Sequence, residues 1–157
     1  MCHGEEIMAS KIKSMTVWRA EVENKPGALA KLLEPLKGED LAMVVGYHFR
    51  GEQKVAAVDL GPLSGRKARA AATAAGFKPI DVPMIAVEGA NRRGVGFAIT
   101  EALGEAGINI EWLTAQVAGK KYAAVFGFRD AADAKKAARI IKKAATKKAV
   151  KGKAKHK

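Results

Sequence analysis

The chain has 157 residues, 48% of them hydrophobic, and a formal net charge of +12 from 28 basic and 16 acidic side chains. No stretch approaches the roughly 18 consecutive apolar residues of a membrane span, and the opening MCHGEEIMASKIKS has no apolar core, so neither a membrane anchor nor a secretory signal is expected. With Cys2 as the single cysteine there is no internal disulfide, which makes a cytoplasmic location the default.

Residues 1–15 read as a flexible leader, with order expected from near Thr16. Trp18, Ala20 and Val22 alternate with Arg19 and Glu21, the period of a strand with one buried face. Pro26 then suits a first helical turn, which needs no N–H, and Leu29, Leu32, Leu33 and Leu36 recur at helical spacing. Leu41 to Phe49 and Lys54 to Leu60 read as two strands around a turn at Gly51. Ser64 can cap a helix that Gly76 ends, and Lys78 to Val82 supplies a last strand before Pro83.

The same order then begins again. Met84 to Glu88 reads as a strand and Val95 to Ala106 as a helix stopped by Gly107. Asn109 to Val117 and Lys121 to Phe128 read as strands around Gly119. Asp130 caps a helix from Ala131 to about Lys143, whose Ala134, Ala137, Ala138 and Ile141 form the inner stripe. Where a fourth strand is due, a lysine-rich tail comes instead. Either this repeat closes its sheet with three strands, or a segment from elsewhere, such as the leader, completes it. Lys142 to Lys157 holds eight lysines and no acid, leaving only +4 for the remainder, and the tail is expected to be a solvated arm.

Strand, helix, two strands, helix, strand is the split βαβ arrangement, with both helices on one face of an antiparallel sheet. The predicted fold class is therefore α+β, with two ferredoxin-like βαββαβ modules in tandem and the second lacking its own last strand. The expected organisation is a leader over 1–15, modules over 16–82 and 83–145, and a disordered tail over 146–157. Modules this small bury little core alone, so pairing with a second chain, as a homodimer, is expected.

The most telling repetition lies where the first strand of each module enters its first helix. VWRAEVENKPGALAKLLEPL has Asn24 and Gly27 at that turn, and MIAVEGANRRGVGFAITEAL has Asn91 and Gly94, 67 residues further on. Such a turn bares the first backbone N–H groups of a helix, which with the positive end of its dipole favour a carboxylate or phosphate. Asparagine can both donate and accept, so the pairing suits a zwitterion. An isolated Asn-x-x-Gly is explained by turn geometry alone. Its duplication at one topological position argues for binding by at least one copy.

At these residues the chain resembles the ACT domain family of small ligand-sensing βαββαβ modules. NKPGAL (Asn24 to Leu29) is similar to the family's loop between first strand and first helix, and ALGEAGINIEWLTA (Ala102 to Ala115) to the helix end and second strand that follow. The resemblance runs from about Thr16 to Ala145, and stand-alone tandem members match best. It implies ligand binding between modules, by the first loop of one and the start of a second strand of another. The positions carried over are Asn24, Lys25, Pro26, Gly27 and Ala28 with Asp40 and Leu41 in the first repeat, and Asn91, Arg92, Arg93, Gly94 and Val95 with Asn109 and Ile110 in the second. Arg93 replaces the family's usual proline, and the first repeat is two residues shorter between Gly27 and Asp40 than the second between Gly94 and Asn109. Asp40 would repel a ligand carboxylate unless it faces the amino group. The second loop is therefore the favoured half-site, with Arg92 or Arg93 as carboxylate partner, although either arginine singly reads first as surface charge.

No catalytic set, cofactor motif or metal site emerges. His3, His48 and His156 have no ligand spacing, and Cys2 beside His3 reads as an incidental terminus. GVGFAI lacks the third glycine and the parallel context of a dinucleotide site. The stripe Tyr122, Ala124, Phe126, Phe128 reads as core. The expectation is a non-enzymatic regulatory protein that binds an amino acid or similar small carboxylate. The alternative is an accessory protein whose lysine tail holds nucleic acid or another polyanion without reading sequence.

Overall fold

A computed structural model describes residues 10–51 and 53–146. The chain forms two compact units: Met15–Asp81, and Val82 onward joined by the residues up to Ser14. The first contains strand β2 (Trp18–Glu23), helix α1 (Ala28–Leu33) running into a 3-10 turn (Glu34–Leu36), β3 (Met43–His48), β4 (Val55–Gly61), α2 (Gly65–Ala74) and β5 (Lys78–Pro79). The second contains β6 (Met84–Ala90), α3 (Val95–Glu105), β7 (Trp112–Ala118), β8 (Lys121–Gly127) and α4 (Ala131–Thr146), together with β1 (Lys11–Met15). Their sheets run β3-β4-β2-β5 and β1-β6-β8-β7, the same ferredoxin-like order once β1 stands in as the last strand of the second unit.

The leader is thus corrected in part. Of the two ways left open for the second sheet, the chain takes the one in which the leader completes it. Ile12 packs on the core of that unit, and the buried Ser10 hydroxyl lies 3.2 Å from the Tyr122 hydroxyl. Gly89 makes room for this contact, because a Cβ there would stand 2.8 Å from the Tyr122 ring and 3.0 Å from the Ser10 oxygen. The rest of the predicted leader, and the tail after Thr146, lie outside the described residues. Thr146 itself ends α4 rather than opening a tail.

Element boundaries differ where local chemistry overrides the pattern. Pro35 has no N–H for the α-helical ladder, and the first helix tightens into its 3-10 turn there. β3 begins at Met43 rather than Leu41, which anchors the preceding loop on the core instead. β7 begins at Trp112 rather than Asn109, after Ile108 and Ile110 have pinned the connection to the core. β5 is shortened to two residues, followed by Ile80 N–H donating to the Val17 carbonyl.

Each core lies between one sheet face and its helices. Ala20, Val58 and Leu60 meet Leu36, Ala68 and Ala72 in the first unit. Val87, Phe126 and Tyr122 meet Val95, Ile99, Leu103 and Ile141 in the second. The opposite face of the first sheet holds an ion pair that sequence alone did not flag. The register sets Arg19 against Asp59, and the guanidinium donates twice, Nε to Oδ1 at 2.7 Å and Nη2 to Oδ2 at 2.8 Å. The Tyr47 hydroxyl adds a third bond at 3.3 Å, and the guanidinium carbon sits 5.8 Å from the Tyr47 ring centre. Asp59 is wholly buried while Arg19 keeps 37% of its side-chain surface. The hydrogen bond to Asp59 holds Arg19 above its ordinary pKa, and burial raises that of Tyr47.

Two stability tests follow from this architecture. Arg19→Met leaves Asp59 buried without its bidentate partner, and chemical denaturation should show a loss of about 3 kcal/mol, the low end for a broken buried pair because Arg19 is partly exposed, against up to about 1 kcal/mol for an exposed pair. Asp130 caps α4 through Oδ1, which accepts the Asp133 backbone N–H at 2.8 Å. That bond, reinforced by Arg129, lowers the Asp130 pKa. A lowered folded-state pKa means the cap contributes in full above the unfolded value of about 4 and is lost as pH falls through the folded one. Melting curves of wild type and Asp130→Ala should therefore differ at neutral pH and converge on acidification.

Candidate functional site

The two strand-to-helix turns have the same backbone design. Asn24 N–H donates to the Lys54 carbonyl and Asn91 N–H to the Lys120 carbonyl, extending each strand pairing by one bond. Ala28 N–H then reaches the Lys25 carbonyl, and Val95 N–H the Arg92 carbonyl, each at 3.2 Å. Both glycines sit at φ +82°, the left-handed region that side chains with a Cβ avoid, and nothing lies within 4 Å of where that Cβ would be. Neither helix has a side-chain cap. In α3 the Gly96 and Phe97 amides, which precede the first helical hydrogen bond from Ala98 to Gly94, remain for an outside acceptor.

The copies diverge in their side chains. Asn24 donates from Nδ2 to the Gln53 carbonyl at 3.0 Å, and Lys25 pairs with Glu23 at 2.6 Å. Its helix is only six residues long, Asp40 is exposed, and Leu41 belongs to the core. In the second copy, Arg92 lies along the end of α4, donating from Nη2 to the carbonyls of Ala144 at 2.9 Å and Ala145 at 3.1 Å and from Nε to the latter at 3.3 Å. These are last-turn carbonyls that a helix leaves without internal partners. Of the two arginines named as carboxylate partners, Arg92 is thus committed to the fold, whereas Arg93 is exposed with no bond among the described residues.

A cleft of about 480 Å3 lies against this second loop. Asn91, Arg93 and Gly94 border one end, Val95, Gly96 and Ile99 form the helix side, and Ala115, Val117, Ala124 and Phe126 supply the sheet side. Asn109 and Ile110 do not border it. Asn109 is exposed and donates to Glu111 at 2.8 Å, while Ile110 packs on the core. The β7 and β8 residues of the cleft were read from sequence only as strand and core, since their nearness to the loop depends on register. Among the described residues, no group of three His, Cys, Asp or Glu side chains is placed to hold a metal ion, and no helix is long and apolar enough to cross a membrane.

No family model matches the sequence, and no curated protein matches it. Solved structures do share the fold. A protein from Bacteroides thetaiotaomicron aligns at TM-score 0.68 and 16% identity over 84% of this chain and 89% of its own. The ligand-free regulatory subunit of aspartate kinase from Thermus thermophilus aligns at TM-score 0.60 and 17% identity over 89% and 99%. Aspartate kinase from Clostridium acetobutylicum aligns at TM-score 0.58 and 16% identity over 92% of this chain and 36% of the kinase chain. The shared architecture is two ferredoxin-like modules, as the ACT resemblance implies, and it recurs in regulatory parts of aspartate kinases.

The division of labour between the arginines is testable. Arg92→Met should lower stability by about 1–2 kcal/mol through loss of charge-assisted bonds to α4 and speed amide exchange in its last turn. Arg93→Ala, at an exposed position, should stay within about 0.5 kcal/mol of wild type.

Proposed function

We propose that this chain is a non-enzymatic regulatory protein that binds a small amino acid or carboxylate at the second loop. The observation that carries the reading is the cleft against Gly94, bordered by Gly96, whose amide has no cap, and by Arg93, which has no bond among the described residues. Carboxylate oxygens accept from those donors, and Asn91 at the same end can pair with an amino group. The helix dipole adds attraction for the anion. Regulatory neighbours of the same fold are consistent with this use, although their identity to the chain is low.

In this reading the first loop, Asn24 to Ala28, is the weaker copy, because its asparagine side chain and lysine are already paired. Asp40, Leu41, Asn109 and Ile110 would join a site contributed by a second module, as the ACT resemblance implies, and a homodimer belongs to the proposal. A ligand preferred by one arrangement of the dimer over another would shift the balance between them, which is all that regulation requires. The setting proposed is cytoplasmic.

Ligand at a hundred times its dissociation constant should add about 2.7 kcal/mol to stability, several degrees in melting temperature for units of this size. A thermal-shift screen of the standard amino acids and common metabolic acids should reveal at least one such hit. Arg93→Ala should weaken that hit about tenfold, the effect of one charge-assisted bond, without lowering the unliganded melting temperature. A flat screen, or a hit indifferent to Arg93, would count against the site.

A further inference from the structure

The chemistry of the cleft away from the loop narrows what its occupant can carry. Strand pairing sets Ala115 of β7 opposite Ala124 of β8, and Val117 opposite Tyr122, on the face of the sheet that meets the helices. Two alanines side by side leave a hollow where larger residues would fill the layer. Gly96 keeps the helix side low as well, with open space where its side chain would be. Phe126 and Ile99 close the hollow with hydrocarbon, and both are nearly fully buried.

Charge is distributed in one sense only. The loop end offers Arg93 and the positive end of α3, and none of the residues bordering the cleft is acidic. Glu88, on β6, pairs with Ala123, which alternation points to the opposite face of the sheet. A ligand ammonium at the far end would therefore find no counter-ion, only hydrocarbon and the neutral Gln116 and Tyr122, beneath a cationic rim. A second carboxylate placed there would likewise lose water without gaining a cationic partner.

We infer that the cleft selects a small amino or carboxylic acid whose side chain is an uncharged hydrocarbon, and that Ala115 and Ala124 set the space it fills. This rests on the loop holding the acid group and adds the specificity of the other end. Each methylene laid on the floor should strengthen binding, while a terminal charge should cancel the gain.

The test is isothermal titration of the full chain with alanine, 2-aminobutyrate, norvaline, norleucine and lysine, repeated with the corresponding straight-chain acids lacking the amino group. The dissociation constant should fall about fourfold per added methylene, the equivalent of ~0.8 kcal/mol per buried CH2, and lysine should bind at least tenfold more weakly than norleucine. Ala115→Leu, at an exposed edge position, should fill part of the hollow and flatten the series, so that norleucine no longer gains over alanine. Binding that ignores chain length, or lysine equal to norleucine, would overturn the hydrocarbon preference and leave the loop reading standing. Absence of binding across both series would overturn the two together.

Discussion

A strand inside a sheet must have hydrogen-bond partners along both of its edges, and the architecture of the second unit depends on how β6 meets that demand. β8 serves one edge. Nothing described after α4 serves the other, so β1, from ahead of the entire first unit, takes that place. One unit is therefore continuous in sequence and the other is assembled from both of its flanks. The recruited segment also fixes the interior near the cleft, because Ser10 meets the hydroxyl of Tyr122 and Tyr122 lines the cleft wall.

The two copies show how one backbone design can be kept while its side chains take different work. The left-handed glycine and the turn bonds are the same in both. Around them, the first copy has its polar groups satisfied locally and its sheet braced by the Arg19, Asp59 and Tyr47 cluster on the outer face. The second, among the described residues, leaves amides and Arg93 without partners beside an apolar hollow. Two turns that match in backbone need not match in affinity, since affinity depends on which donors are still available.

The sequence made legible whatever depends on short-range pattern. The alternation at Trp18, Ala20 and Val22, the helical leucine stripe, the Asp130 cap and both glycine turns are each dictated within a few residues, and their order carried the fold class. What it hid depends on partners far away. Asp59 lies unremarked in the strand Lys54 to Leu60 until register brings Arg19 opposite. Arg92 reads as surface charge until α4, more than fifty residues later, ends against it. The cleft floor at Ala115 and Ala124 was invisible for the same reason, because alanine is featureless until its neighbours across the sheet are known. β1 was open to either reading, since one isoleucine between two lysines is a weak signal of burial.

The clasp of Arg92 ties the mobility of one part of the second unit to that of another. Arg92 sits between Asn91 and Arg93, so the loop that borders the cleft is hydrogen-bonded directly to the carbonyls where α4 finishes. Fraying of that terminal turn would take away the acceptors that hold the Arg92 side chain in place. One arginine side chain is thus the shared joint between the rim of the pocket and the end of the last described helix.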